Sequence, residues 1–92
     1  MGYIIKYLPK AEEHLFAYKK AGNKNALAKI KRIEEDLKVH PETGIGKPEK
    51  LKHNYSGFWS REIDKKNRMI YKIKENIITV SIHSLMGHYD DK

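Results

Sequence analysis

The order of patterns along this 92-residue chain predicts an α+β domain of two layers, a helical hairpin packed on one face of a mainly antiparallel, twisted sheet. Three observations carry that expectation. A short β-branched and aromatic run opens the chain, two stretches with apolar residues at helical spacing follow between residues 9 and 40, and three runs of two-residue alternation separated by turn residues come after them. The expected order is strand-helix-helix-strand-strand-strand. A chain of this length suffices for one core but not for a second lobe, so residues 1–92 are read as a single domain.

Tyr3-Ile4-Ile5-Lys6-Tyr7 suits a first strand and stops before Pro9, which is well placed to start a helix. In that helix Ala11, Leu15 and Tyr18 fall at i, i+4 and i+7, Glu12 and Glu13 occupy the first turn, and Lys19 and Lys20 occupy the last, as the helix dipole favours. Gly22 ends it. Asn23 or Asn25 can cap a second helix whose stripe is Ala26, Ile30, Ile33 and Leu37, with Pro41 stopping it after His40. Residues 41–54 show no sustained period and are expected to form a loop, the usual mount for functional groups. Ser56-Gly57 marks a tight turn, and strand chemistry starts at Phe58, with Trp59 and Ile63 in period two. Lys65-Lys66-Asn67 reads as a hairpin tip. Beyond it Met69, Tyr71 and Ile73 alternate with Arg68, Ile70 and Lys72, giving an apolar face and a cationic one. Glu75-Asn76 then turns the chain into a last strand, Ile77 to His83, with Ile78, Val80 and Ile82 facing one way. Glu49, Lys52, Arg61 and Arg68 are expected to meet on one side of the sheet, the side the helices leave open.

Nineteen Lys and Arg against twelve Asp and Glu give a formal charge of +7, which favours a polyanionic partner such as nucleic acid or an acidic protein. With no cysteine there is neither a disulfide framework nor a thiolate zinc site, and no window reaches the ~20 apolar residues of a membrane span. The opening MGYIIKYLPK is too short in apolar length for a signal-peptide core, so a cytoplasmic protein without membrane contact is expected.

The chain contains no Gly-rich phosphate loop and no HExxH pair, which leaves Glu, His, Arg, Lys and Tyr to do chemistry. Those types suffice to cleave RNA, because RNA brings its own nucleophile. A base removes the 2′-hydroxyl proton, cations stabilise the crowded phosphorane, and an acid protonates the leaving 5′-oxygen. Taken singly, Glu49 reads as a solvated carboxylate, and Arg68 as an exposed arginine beside a hairpin tip. His14 and His40 read as surface or helix-end residues, His53 as a loop residue and His83 as a strand-end residue, while His88 stands out by adjoining Tyr89 beyond Gly87. His83 and His88 with Asp90 and Asp91 match no recognised ligand spacing, so no metal or other cofactor is expected. Phe58 and Trp59 read as core and sheet residues rather than stacking platforms.

GKPEKLKHNYSGFWSREIDKKNRMIYKI, residues 46–73, followed by the terminal Gly87-His88-Tyr89, resembles the Txe/YoeB family of toxins within the RelE superfamily. The resemblance rests on Gly46-Lys47-Pro48-Glu49, Leu51-Lys52-His53-Asn54, Ser56 to Arg61, Asn67-Arg68 with Tyr71, and His88-Tyr89, in that order; the helical half has the family's layout but little of its sequence. It implies a RelE-like fold and a metal-independent endoribonuclease, an mRNA interferase that cuts the codon in the ribosomal A site. It also implies control by a YefM-like antitoxin, with operator DNA bound only through the antitoxin complex and self-association into a homodimer as a further expectation. By motif position Glu49 is implied as general base, Arg68 as phosphate stabiliser, His88 as general acid and Tyr89 as an orienting group, with Lys52 and Arg61 as supporting RNA-binding cations. Glu62 stands where relatives often carry a second basic residue. Three other readings stay open: a same-fold inhibitor of DNA gyrase like the ParE-type toxins, an RNA-binding module without cleavage, and a nuclease that needs no ribosome.

Overall fold

In the computed structural model, which describes residues 2–87, the chain runs β1 (Ile4–Tyr7), α1 (Pro9–Lys20), α2 (Lys24–Leu37), β2 (Glu49–Lys50), β3 (Trp59–Glu62), β4 (Arg68–Lys74) and β5 (Thr79–Ser84). The sheet order is β1-β5-β4-β3-β2. β1 lies parallel to β5, and the remaining pairings are antiparallel. Both helices lie on one face, as their apolar stripes require: Ala11, Tyr18, Ala26, Ile30, Ile33 and Leu37 are buried against Met69, Tyr71, Val80 and Ile82 from the two central strands. The turn between the helices follows the local chemistry. Gly22 takes φ +69° after α1, and the Asn23 side chain accepts a hydrogen bond from the Ala26 N–H at 3.1 Å, so Asn23 is the cap.

Three boundaries differ from the sequence expectation, each for a tertiary reason. α2 ends at Leu37, before Pro41 could stop it, because residues 40–45 wrap back over Asp36 and offer their carbonyls to Arg61. The expected loop 41–54 contains the edge strand β2, which pairs Glu49 with Ser60 and Lys50 with Trp59, and a 3-10 turn at His53–Tyr55. The last strand begins at Thr79. Glu75–Ile77 form a 3-10 turn, and Ile78 adopts φ +48°, a left-handed conformation that a β-branched residue rarely takes, and is 40% exposed. The strain is held by two bonds: the Ile78 N–H donates to Glu75 O at 3.2 Å, and Ile78 O accepts from the Ile4 N–H at 2.9 Å, joining β1 to the sheet.

Among the described residues, no helix is long and apolar enough to cross a membrane.

Candidate active site

Pairing register decides which side chains share the face opposite the helices. Glu49 lies across from Ser60, Ser60 across from Ile70, and Glu62 across from Arg68, so these five share that face. Trp59, Arg61, Met69 and Tyr71 take the helix side. Arg68 Nη2 lies 3.7 Å from Glu49 Oε1, and its Nε donates to Ser60 Oγ at 2.9 Å. The arginine side chain is 17% exposed and the glutamate 54%, so a steered cation stands beside an accessible carboxylate. The expected meeting of Glu49 and Arg68 is found.

Glu49 reaches this place through a loop whose shape depends on Gly46. The Glu62 N–H donates to Gly46 O at 2.6 Å, and a Cβ at Gly46 would lie 3.2 Å from both Arg61 Cβ and Glu62 O, with φ at +81° besides. After β2, Leu51 is buried and its N–H donates to Phe58 O at 2.9 Å, closing a loop that carries the exposed Lys52 at its start. That loop folds over the sheet, so the face is not simply open. Phe58 packs its ring edge to face with His83 at 4.8 Å between centroids and under Lys72 Nζ at 5.3 Å, contrary to its expected place in the core. The result is a cleft of about 490 Å³ lined by Tyr55, Phe58, Ile70, His83, Ser84 and Met86 among others.

Arg61 corrects the sequence expectation. Rather than facing RNA, it is fully buried, and all of its donors are used inside the protein. Nη1 donates to Asp36 Oδ2 at 2.6 Å and to Ile45 O at 3.1 Å, Nη2 donates to Thr43 O at 2.9 Å and to His40 O, and Nε donates to Tyr71 Oη at 3.1 Å. The Tyr71 hydroxyl in turn donates to Pro41 O at 2.9 Å, and burial raises its pKa against the opposing pull of Arg61, so the phenol keeps its proton. A planar fork of five donors suits this set of acceptors, which a lysine could not serve. The guanidinium thus shapes the loop that delivers Glu49. Gly44 belongs to the same lock: with φ at +125°, a Cβ there would fall 1.8 Å from the Asp36 carboxylate that Arg61 and the Ile45 N–H hold in place.

His88, Tyr89, Asp90 and Asp91 lie outside the described residues. The approach to them is defined. Gly87 N–H donates to Asn67 Oδ1 at 2.9 Å, and Gly87 O accepts from the Arg68 N–H at 3.0 Å, so the last described residue is bonded to the backbone that carries Arg68. Asn67 is a site-building residue that hairpin-tip reasoning did not single out. Its side-chain amide nitrogen donates to both Asp64 oxygens at 3.1 and 3.2 Å. Burial would raise the Asp64 pKa, but hydrogen bonds from Lys66 and Asn67 outweigh it and hold the carboxyl below its ordinary value. Among the described residues, no group of three or more His, Cys, Asp or Glu side chains could hold a metal ion.

The model of the YoeB-like toxins of bacterial type II toxin-antitoxin systems matches residues 8–89 of this chain. The chain belongs to that family. The toxin is 38% identical over 66 residues to Toxin YoeB of Escherichia coli O6:H1, which covers 72% of this chain and 79% of that one. It superimposes on the toxin-antitoxin complex YoeB-YefM of Staphylococcus aureus, a heterotetramer, with a TM-score of 0.80 and 32% identity over 95% of this chain and 98% of that chain. The YoeB dimer from the same organism gives a TM-score of 0.82 at 31% identity, with the same coverage. The toxin therefore has the RelE-type fold expected from its motifs, and it is the toxin component of a type II toxin-antitoxin system.

Two histidines of the toxin lend stability that depends on pH. Burial lowers the pKa of His14, with Lys10 adding to the effect and Glu13 opposing it; burial, then Lys72 and Lys74, lowers that of His83. A histidine that resists protonation when folded contributes fully above its unfolded pKa of about 6.5, and loses that contribution as pH falls through its folded value. Urea unfolding midpoints are expected to fall between about pH 7 and pH 5, and to fall less in a His14→Asn, His83→Gln double variant. A wild-type midpoint that stays level across that window would mean that both imidazoles charge freely in the folded state.

Proposed function

We propose that the toxin is a ribosome-dependent endoribonuclease that cuts messenger RNA in the A site. The observation that carries this reading is the pairing of Glu49 with Arg68 on the face opposite the helices, a carboxylate on β2 and a cation on β4 within 3.7 Å. In the proposed step Glu49 takes the proton from a ribose 2′-hydroxyl, and that oxygen attacks the adjacent phosphorus. Arg68, steered by Ser60, neutralises charge building on the non-bridging oxygens. His88 gives a proton to the departing 5′-oxygen while Tyr89 orients the nucleotide. Bond making and breaking balance within the RNA, leaving a 2′,3′-cyclic phosphate and a free 5′-hydroxyl. The nucleophile is intramolecular, so no metal or cofactor is required.

In this reading Lys52, exposed at the start of the loop after β2, holds the RNA backbone, while the buried Arg61 supports the loop and does not contact RNA. The complex of the Staphylococcus aureus relative with YefM supports a YefM-like antitoxin as the controlling partner, through which operator DNA is reached, and the dimer of that relative supports self-association. The site of action is the cytoplasm.

The test compares purified toxin on programmed ribosomes and on naked RNA. Cleavage of the A-site codon is expected only with ribosomes, and added antitoxin should abolish it. Lys52→Ala should weaken binding and flatten the plot of log affinity against log salt by about 0.7, one phosphate contact on a single strand, while turnover at saturation suffers little. Cleavage of naked RNA at the ribosomal rate would remove the ribosome from the mechanism. Inhibition of gyrase without RNA cleavage would replace it with the ParE-type reading.

A further inference from the structure

A chain segment that follows the last strand of a small domain ordinarily frays unless it is tied down. Here residues 85–87, which run directly into His88, are tied by four hydrogen bonds from two different elements. The Leu85 N–H donates to His14 Nδ1 at 3.0 Å, and Leu85 O accepts from the Tyr18 hydroxyl at 2.8 Å. His14 and Tyr18 stand one turn apart on α1, so one helix face grips both polar atoms of a single peptide residue whose side chain is fully buried. Gly87 is gripped in the same way by Asn67 and Arg68 at the start of β4.

We propose that His14, together with Tyr18, is a positioning residue for the cleavage reaction: by fixing the Leu85 peptide it sets how the chain enters His88. The inference rests on the assignment of His88 as the proton donor. The chemistry of the grip favours it. An imidazole can accept at Nδ1 only when that nitrogen carries no proton, and burial with the neighbouring Lys10 disfavours the charged form. Burial, with the charge of Asp64, raises the Tyr18 phenol to about 12, so it remains a donor. Only Met86 and Gly87 separate the gripped peptide from His88 in the sequence, and Gly87 is itself bonded to Asn67 and Arg68.

The experiment compares His14→Asn, whose side-chain oxygen occupies the place of Nδ1, with His14→Leu, which keeps bulk but has no acceptor, and with Tyr18→Phe. Single-turnover cleavage at saturating toxin, affinity for programmed ribosomes, thermal midpoint and hydrogen exchange of the Leu85 amide are measured for each. The expected result is an about 10- to 100-fold slower cleavage step for His14→Leu, with affinity unchanged within about twofold, faster Leu85 exchange, and recovery of both properties in His14→Asn. Tyr18→Phe should slow cleavage in the same sense, which keeps the test open if His14→Leu does not fold. Wild-type cleavage by a variant whose Leu85 amide exchanges freely would overturn the proposal, as would failure of His14→Asn to restore cleavage while it restores Leu85 protection. If the wild-type protein itself cuts no message, the nuclease reading fails separately. The grip is then judged by the His88 ring resonances: a change in His14→Leu and not in His14→Asn upholds it, and no change in either overturns it.

Discussion

Arg61→Met is expected to lower the unfolding free energy by about 3–5 kcal/mol, the cost of removing one partner from a buried ion pair. The cause is what the guanidinium leaves behind: the Asp36 carboxylate, the carbonyls of His40, Thr43 and Ile45, and the Tyr71 hydroxyl all lose a donor in or near the core. For a domain whose whole stability is about 5–15 kcal/mol, this is a large share, and urea titration with calorimetry measures it. Arg61→Lys should recover little, because an ammonium brings three donors to a site built for five. Adding Asp36→Leu to Arg61→Met should recover only part of the loss, since it removes the orphaned carboxylate but not the orphaned carbonyls. If Arg61→Met unfolds at the wild-type urea concentration while losing ribosome affinity, Arg61 is a surface cation after all.

Glu49→Gln should leave stability and ribosome affinity nearly intact and slow single-turnover cleavage by about 10²- to 10⁴-fold, roughly 3–5.5 kcal/mol of barrier. The substitution keeps shape at a side chain that is 54% exposed; it removes the capacity to take a proton and the charge that faces Arg68 across 3.7 Å, a partly exposed pair that adds little to stability. Arg68→Ala and His88→Ala are expected to fall in the same range, whereas His83→Ala, at a ring packed against Phe58, should do much less. Undiminished cleavage by Glu49→Gln would place the base elsewhere. A large loss for His83→Ala beside normal cleavage by His88→Ala would move the acid to β5.

The fold was legible because its local signals agree with one another. The stripe Ala26, Ile30, Ile33 and Leu37 is spaced for a helix and buried along one, and Met69 with Tyr71 alternates as a strand must when one of its faces meets that helix. Glu49 and Arg68 were legible as partners through the motif that carries them, and the register of β2 on β3 and β3 on β4 brings them onto one face. The side on which Arg61 lies was also written in the chain. It shares odd parity with Trp59 and Ile63, which bury themselves on the helix side, and strand period alone sends it there, although its charge by itself favours solvent.

What no local pattern could supply is the set of acceptors that makes burial of that charge affordable. They come from residues 36 to 45 and from Tyr71, and they converge only when α2 stops at Leu37 and the following loop folds back over the sheet. The same holds for His14 and Asn67, which by sequence are a helix-surface histidine and a turn asparagine. They become anchors because the sheet brings residues 85–87 between α1 and the start of β4. Sequence by itself determined which groups could do chemistry and which face of each element would be apolar, since those follow from residue type and period. The tertiary structure alone decided which polar groups face substrate and which hold the scaffold, because that depends on where acceptors distant in the chain come to rest.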